Sequence, residues 1–599
     1  MVVGWIAIAV GSTAIATAVG RSYSTNFTLP NTESQHALLL LQKEFKSQGG
    51  DLDTIVFHYS RGSIDSSAVR SAITPMLARV AHMPHVTVVV SPYSSLGAAQ
   101  VSRDRTTAFA TVNYTKRANL LPNNTGTPVL NAINAIHVPG LQIAAGGQVI
   151  EQAEGFSIGP ATFVGVIAAL VILLLTFGTL VAAGMPLITA GFGLVTGIAF
   201  VGLATHITSL SNVGPQLAVM IGLGVGIDYA LFIVTRFREN YERIGDIERS
   251  VIHAMDTSGR AILLAGTTVI IALLGMFATG VSFMYGLSIA SVLAVLFVLA
   301  ASLTVLPAML SRWGHRLVRP TRTARRREAA GKPPRPSRWR QWSVEVQRRP
   351  VRLAAVSTAV MILALVPVFS LRLDTSDAGN DPTNTSTYHA FNLLAQGFGQ
   401  GFNGPLTVVM QVHGASQATA AVPAVRSAIA RTPDVVTVTA PRVSPSGNVV
   451  VLQAYPASAP QAVATTDLVN RLRHTVLPPL KKHFGVGALV GGFTAGSIDF
   501  SNVLSSKLPL FIGLVVVLSA LLLFVIFRSI VIPLQAALMN LLSIGGALGA
   551  TVLVFQDGFL SGALGISKGP IEPWIPVLMF AVVFGLSMDY EVFLISRVR

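Results

Sequence analysis

Long uninterrupted apolar runs are the feature that most limits how this chain can fold. A helix of about 18 residues or more is long enough to cross a hydrocarbon core of about 30 Å. Ten apolar runs of roughly that length lie at 2–20, 161–182, 186–206, 215–236, 261–280, 283–309, 353–371, 506–527, 530–554 and 574–596. Only 11% of the residues are charged, against roughly 25% in an average soluble protein. The sequence therefore predicts a polytopic α-helical membrane protein with about ten transmembrane helices.

The net charge of +16 is concentrated in one connection between these runs. Residues 311–352 contain fourteen Lys or Arg against Glu328 and Glu345. The positive-inside rule makes this segment a basic cytoplasmic loop that is attracted to anionic membrane lipids. Within it, Arg338 to Trp342 are typical of a short amphipathic helix at the membrane interface. We therefore expect anionic lipids as partners of this loop, and no nucleic acid.

Placing the basic loop inside fixes the sidedness of the other segments by counting crossings. Two long polar segments are then extracytoplasmic. The predicted organisation is transmembrane helix 1 at 1–20, a first extracytoplasmic domain at 21–160, helices 2–6 at 161–310, the basic loop at 311–352, helix 7 at 353–371, a second extracytoplasmic domain at 372–505 and helices 8–10 at 506–599.

Both extracytoplasmic segments show the same alternation of strands and helices. After an opening loop, the first predicts strand 54–59, helix 66–81, strands 85–90 and 107–114, helix 127–136 and strand 141–145. The second predicts strand 406–412, helix 418–430, strands 435–440 and 449–455, helix 466–484 and strand 488–490. The order βαββαβ indicates two α+β ferredoxin-like domains.

The membrane helices also repeat. Asp228-Tyr229 matches Asp589-Tyr590 at an offset of 361, and the same offset aligns five further pairs: Pro215 with Pro576, Gly224 with Gly585, Phe232 with Phe593, Arg236 with Arg597 and Arg238 with Arg599. So many coincidences without a gap indicate a parallel internal repeat. The second half then ends two helices earlier than the first, which suggests a fragment.

The acids of this repeat lie at membrane depth. Asp228 follows Pro215 by roughly 20 Å of helix and precedes Arg236 by about 12 Å, at 1.5 Å per residue. Intramembrane acids are costly and usually mark ion or proton paths. Asp228, Tyr229, Asp589 and Tyr590 are therefore the candidate proton relay. The alternative is that both pairs only stabilise helix packing.

Three neighbouring residues are secondary candidates. Glu591 has Ala230 as its counterpart, and it either forms a proton exit or pairs with an arginine. Phe232 and Phe593 lie one helical turn from the acids, where they either gate a water path or belong to the core. Gly222, Gly224 and Gly226 suit a close helix interface better than a nucleotide loop.

The sequence lacks the residue patterns that several other functions require. It has no cysteine and no P-loop motif, and its histidines are not spaced as metal ligands. Thr267 and Thr268 can relay protons, but hydrogen bonds back to helix carbonyls are the more common use of such residues. We therefore expect no metal and no cofactor other than protons as the coupling ion, and no enzyme activity.

The stretches GLGVGIDYALFIVTRFRE (222–239) and FGLSMDYEVFLISRVR (584–599), with LPNTESQHA (29–37) and FGQGFNGPL (398–406), resemble the MMPL family of the resistance-nodulation-division (RND) superfamily. The resemblance implies proton-driven transport, a proton relay at the two Asp-Tyr pairs, and two porter domains outside the membrane. It also implies twelve helices, two more than are found here.

The expected function is a proton-motive-force-driven exporter of lipid or other hydrophobic molecules in the bacterial plasma membrane. Multidrug efflux is the alternative with the same coupling. A non-transporting sensor or scaffold is the alternative from another class, and assistance to protein translocation is a third. Cargo identity and homo-oligomerisation are left open.

Overall fold

The computed structural model describes residues 1–20, 23, 28–45, 51–154, 160–177, 179–211, 213–317, 338–564 and 568–598. Within these ranges the helices are α1 (Val2–Val19), α2 (Glu33–Glu44), α3 (Ser67–Ala81), α4 (Thr127–Asn134), α5 (Gln148–Glu154), α6 (Pro160–Phe177), α7 (Leu180–Ala204), α8 (Gly214–Ile244), α9 (Ile247–Ala254), α10 (Arg260–Leu274), α11 (Ser282–Leu317), α12 (Arg338–Arg348), α13 (Pro350–Leu365), α14 (Ser386–Phe398), α15 (Ala415–Ala430), α16 (Val463–Arg471), α17 (Leu477–Phe484), α18 (Phe493–Phe527), α19 (Val531–Thr551), α20 (Ser561–Leu564) and α21 (Trp574–Val598).

Eight helical stretches in the described residues are long and apolar enough to cross a membrane. They are Val2–Val19, Leu180–Ala204, Gly214–Ile244, Ile247–Thr279, Ser282–His315, Pro350–Ser370, Phe493–Val525 and Val531–Gln556. Two shorter apolar helices, Gly165–Phe177 and Trp574–Met588, lie at the other two predicted segments. The multi-pass architecture is thus confirmed, and the count of ten spans stays a prediction.

Several predicted boundaries are wrong. The break predicted at 183–185 falls inside α7, which begins at Leu180, because Thr179 caps the helix by accepting from the N–H of Ala182, and Pro186 lies within the helix. The boundary at 310/311 falls within α11, whose last residue, Leu317, packs into the core of the membrane bundle.

Helices α7, α8 and α11 pack closely at the centre of the first helical group. The Cβ that a side chain would add at Gly222 falls 2.6 Å from Leu194 of α7. At Gly226 it falls 2.7 Å from Val298 of α11. At Gly226 the Cβ would also lie 2.8 Å from the Cβ of Ala190, which leaves no room for a side chain, whereas at Gly222 the near atom is a movable leucine methyl group. Both glycines lie at the predicted close helix interface. Among the residues that the structure describes, Gly224 has no neighbour within 4 Å of that position.

The strands form two antiparallel sheets. In chain order they are β1 (Leu52–Tyr59), β2 (Val86–Val90), β3 (Thr107–Tyr114), β4 (Leu141–Gly146), β5 (Leu406–Gln411), β6 (Val435–Val438), β7 (Arg442–Val443), β8 (Val449–Pro456) and β9 (Gly487–Gly491). The first sheet has the order β2-β3-β1-β4 and the second β6-β8-β5-β9, with β7 beside β8. We call residues 51–154 the first module and residues 406–491 the second module.

Each module buries one face of its sheet against its own helices. In the first module, α3 and α4 pack on this face and bury residues such as Ile55, Phe57 and Ile73. In the second module, α15, α16 and α17 do the same over Val408, Met410 and Leu452. The alternation of apolar residues along these strands gave their positions correctly.

The opposite face of each sheet is covered by a helix from the other half of the chain. Helix α14 lies just before β5 in sequence, yet it packs on β1 and β4 of the first sheet. Helix α2 lies just before β1, yet it packs on β5 and β9 of the second sheet. Both helices were missed by the sequence analysis, which predicted a loop at the first position. We call α2 and α14 the exchanged helices.

The second module continues without a break into the membrane. Helix α18 starts at Phe493, directly after β9, and runs for 35 residues to Phe527. Its first turns carry Ala495 and Ile498 in the core of the second module. The predicted boundary at 505/506 therefore falls inside this helix, because the first turns of the helix pack against the second module.

The basic loop contains one described helix. Helix α12 spans Arg338–Arg348, which confirms a helix at the predicted interfacial segment, and the indole-bearing side chain of Trp342 is 56% exposed. Residues 318–337, with much of the positive charge, lie outside the described part of the chain.

Candidate proton-relay site

Helix α8 places Asp228 and Tyr229 near its middle. The helix begins at Gly214 with Pro215 in its first turn, and it ends at Gly245, whose left-handed conformation (φ 74°) closes the helix. Asp228 lies fourteen residues after Gly214, roughly 21 Å along the axis. The side chain of Asp228 is half-buried, whereas that of Tyr229 is buried in the core of the bundle.

The principal contact of the site joins the two repeats. The hydroxyl of Tyr590, on α21, donates a hydrogen bond to Oδ1 of Asp228 over 2.6 Å. The tyrosine of the second repeat thus contacts the acid of the first, across 362 residues of sequence. A carboxyl group and a phenol are therefore joined by a hydrogen bond near the middle of an apolar helix.

Helix α21 is held at this position by α10. A Cβ at Gly585, the repeat counterpart of Gly224, would lie 2.9 Å from the Cα of Val269 on α10. So short a distance requires glycine, and it lets the two backbones approach closely. Phe580 of α21 stacks on Phe584 with 5.1 Å between the ring centres, and it meets Phe511 of α18 edge-on at 5.7 Å. The position of Tyr590 therefore follows from packing on two other helices.

The side chains of Asp589, Glu591 and Phe593 lie outside the described residues, although α21 includes their backbone. Their predicted roles in the relay, the proton exit and the gate stay predictions. Phe232 is described: it is partly buried and packs against the core of the bundle. That position agrees with the core interpretation of Phe232.

Thr267 and Thr268, on the neighbouring helix α10, donate to helix carbonyls. The hydroxyl of Thr267 donates to the carbonyl of Leu263 over 2.8 Å, and that of Thr268 to the carbonyl of Ala265 over 2.6 Å. This confirms the predicted hydrogen bonds back to the helix. Among the described residues, no group of three His, Asp or Glu is arranged to hold a metal ion.

A second acidic group, outside the membrane helices, was missed by the sequence analysis. Ser376 donates its backbone N–H to Glu572 over 2.7 Å, which joins the segment after α13 to the segment before α21. Burial, together with the nearby carboxylates of Asp374 and Asp381, raises the pKa of Asp377 to about 6. Burial also raises the pKa of Glu572. Asp377 can therefore bind a proton at mildly acidic pH, and the acid-rich run 374–381 was the available signal.

Membrane-length helices, two α/β modules and an acid in an apolar helix bonded to the matching helix of the repeat are features of a multi-pass membrane protein of repeated architecture. The chain belongs to the MMPL family, a family of transporters, whose model matches residues 26–353 and 380–599. This confirms the family indicated by the sequence motifs.

Individual relatives extend the comparison. The chain is 33% identical to Membrane protein YdfJ of Bacillus subtilis, over 99% of this chain and 80% of that protein. It is 30% identical to Putative membrane protein SCO6666 of Streptomyces coelicolor, over 95% and 78% of the two chains. It is 32% identical to Mycolic acid-containing lipids exporter MmpL11 of Mycolicibacterium smegmatis, over 76% of this chain and 48% of that protein.

Proposed function

We propose that this protein exports lipid or other hydrophobic molecules across the bacterial plasma membrane, driven by the proton-motive force. The observation that carries the proposal is the hydrogen bond of 2.6 Å from Tyr590 to Asp228. It places an ionisable group between the two repeats of a transporter-family protein. Protonation of a group in this position can change how the two halves pack against each other.

The coupling follows from what each form of Asp228 can accept. An ionised carboxylate accepts the hydroxyl of Tyr590 as a charge-assisted hydrogen bond, which is roughly twice as strong as a neutral one. A protonated carboxyl is a weaker acceptor and becomes a donor itself. The two protonation states therefore favour different arrangements of α8 and α21. A change of shape requires such a difference in free energy, and Asp589 with Tyr229 supplies the second half of the relay in this proposal.

The proposed layout assigns a task to each part of the chain. The ten apolar segments cross the membrane, with the basic loop on the cytoplasmic side against anionic lipids. The two modules act outside as ferredoxin-like porter domains that convert helix movement into passage of cargo. A lipid cargo is supported by the lipid exporter among the relatives. Association between copies stays a prediction that the mass of the solubilised protein can test.

Proton uptake into liposomes under an imposed pH gradient tests the coupling. Asp228→Asn is expected to abolish uptake while the protein stays folded, because the amide cannot ionise. Tyr590→Phe is expected to slow uptake about tenfold, since a hydrogen bond to a charged group contributes about 1.5–3 kcal/mol. Asp256→Asn is the control, because this acid is exposed and pairs with Arg260 outside the apolar part of α10. Normal uptake by Asp228→Asn contradicts the mechanism.

The cargo is tested in the same vesicles. A fluorescently labelled long-chain glycolipid is expected to leave its leaflet only when a proton gradient is present. Proton-dependent movement of a soluble dye such as ethidium, without movement of the glycolipid, favours multidrug efflux. Proton uptake by neither wild type nor variants favours a sensor or scaffold.

A further inference from the structure

The exchanged helices α2 and α14 are held on their sheets at equivalent positions. A Cβ at Gly491 of β9 would lie 2.7 Å from the Cβ of Ala37 on α2. A Cβ at Gly146 of β4 would lie 3.1 Å from the Cβ of Ala390 on α14. The pairs Thr54–Gly146 and Thr407–Gly491 occupy the same register in the two sheets. Both exchanged helices therefore dock by the same close approach to a glycine.

In the second module, a carboxylate on membrane helix α18 accepts a hydrogen bond from the first turn of the exchanged helix α2. Asp499, in the second turn of α18, accepts the backbone N–H of Ser34 on α2 over 3.2 Å. The same carboxylate pairs with both terminal nitrogens of Arg473, at 2.6 and 2.9 Å. The side chains of Arg473 and Asp499 are each only 8% exposed. A buried, two-pronged ion pair of this kind fixes geometry on both sides.

The neighbouring residue of α2 adds a second attachment. Glu33 accepts the backbone N–H of Val490, the strand residue before Gly491, over 2.6 Å. Its carboxylate also lies 3.6 Å from the Nε of Arg473. The start of α2 is therefore attached both to β9 and to α18.

In the first module, Glu154 has the equivalent place. It is the last residue of α5, on the way from the first sheet to the membrane helix α6. Its carboxylate accepts the backbone N–H of Ser386 over 2.5 Å, and the N–H and hydroxyl of Thr387 over 3.3 and 3.1 Å. These donors form the first turn of α14. Negative charge at a helix N-terminus is favourable, because the free N–H groups and the helix dipole point at it.

These contacts join membrane helices of opposite halves. Helix α2 follows α1, and Asp499 attaches it to α18. Helix α14 follows α13, and Glu154 attaches it to the end of α5, which precedes α6. We propose that Asp499 and Glu154 are positioning residues that make each module move with one membrane helix from each half of the chain. The inference rests on the proposed function, since it describes how helix movement reaches the modules.

Distance measurements between spin labels test this inference without any transport assay. The chain has no cysteine, so labels can be placed without background. Leu39 on α2 and Val436 on β6 are exposed, and cysteines there are expected to give one narrow distance distribution. Asp499→Asn is expected to widen it at least twofold, because the amide loses the charge that holds Arg473 and Ser34. Asp467→Asn, an exposed acid on α16, is the matched control and leaves the width unchanged.

A second variant covers the case in which Asp499→Asn disturbs folding. Glu154→Gln keeps an acceptor oxygen, so the first module stays folded, and the change is expected to widen the distance between labels at Gln396 on α14 and Val88 on β2. Labels at Val436 and Val463, both within the second module, report whether Asp499→Asn leaves that module intact. Unchanged widths in both variants, or a broad distribution in the wild type, overturn the inference.

Proton uptake separates this inference from the proposed function. Absence of uptake by the wild type contradicts the exporter, while the label distances still decide whether α2 and α14 are attached as described. With an active wild type, Asp499→Asn is expected to lower uptake about tenfold. Normal uptake together with a loosened α2 overturns the coupling role of Asp499.

Discussion

In the second module, the carboxylate that holds the exchanged helix is neutralised by Arg473 and stands on a helix that enters the membrane unbroken. In the first module, Glu154 holds its exchanged helix with N–H and O–H donors, and within the described residues no cation pairs with it. The two modules share a sheet order and differ in how charge is balanced. One exchanged helix is therefore attached through a buried ion pair, and the other through a carboxylate that accepts from neutral donors.

A second buried acid widens this difference. Asp53, on β1, is 1% exposed and accepts the backbone N–H groups of Val149 and Ile150 at the start of α5. Burial raises its pKa to about 7. The matching position in the second sheet is Leu406, which is fully buried. The first module thus carries a titratable group where the second carries a hydrocarbon side chain.

Arg473→Met tests the comparison with the largest expected effect. The change leaves the carboxylates of Asp499 and Glu33 without their cation in a buried site, which typically costs about 3–5 kcal/mol. Hydrogen exchange of α2 and β9 amides should accelerate strongly, while β1 and β4 amides of the first module keep their wild-type rates. Equal acceleration in both modules would show that the Arg473 pair does not distinguish them.

Asp53→Asn tests the pH response. Because the folded pKa is raised from 3.8 to about 7, Asp53 stabilises the first module most at low pH, and that contribution is lost as pH rises through about 7. The loss is on the order of 3 kcal/mol, roughly a hundredfold in the protection of β1 amides. Exchange measured at pH 5 and pH 8, corrected for intrinsic rates, should show it in wild type only.

Strand β5 of the second module is the internal reference for that experiment, since Leu406 cannot titrate. A β1 strand whose protection does not change with pH in the wild type would show that Asp53 is not the source of the difference. A pH response that persists in Asp53→Asn would assign it to other acids of the first module.

Gly491→Ala and Gly146→Ala give the smallest expected effect. The new methyl group meets Ala37 at 2.7 Å in the second module and Ala390 at 3.1 Å in the first. Overpacking typically costs about 1–3 kcal/mol, and we expect the Gly491 variant to lose about 1 kcal/mol more than the Gly146 variant. Thermal unfolding of the two variants measures this difference, and an equal loss would show that both helices can shift equally.

Apolar periodicity predicted most of the fold, because membrane helices and sheet cores are local patterns. It did not predict α2 or α14, because the apolar face of each helix packs on a sheet from the other half of the chain. A local signal was present for α2: Thr32 caps the helix by accepting from Gln35, and Thr-x-x-Gln before an apolar run is a capping-box pattern. The pattern gives the start of a helix, but not the sheet on which it packs.

The repeat drew attention to Asp228 and Tyr590 as members of two matching Asp-Tyr pairs. It did not predict that Tyr590 bonds to Asp228 of the other repeat, because an offset along the sequence contains no information on side-chain direction. The same limit applies to Asp499 and Arg473, which are 26 residues apart and look like ordinary surface charges in the sequence.

The exchange of α2 and α14 also sets an order of events during synthesis. Ala145 of β4 donates its N–H to the hydroxyl of Ser386 across 241 residues of sequence. At about 5–20 residues per second, a ribosome needs roughly 12–50 s to make that stretch. Until then, Val56, Ala144 and Phe109 on the first sheet lack their cover. The nascent chain thus exposes an apolar sheet surface for that time, and such surfaces are prone to aggregate.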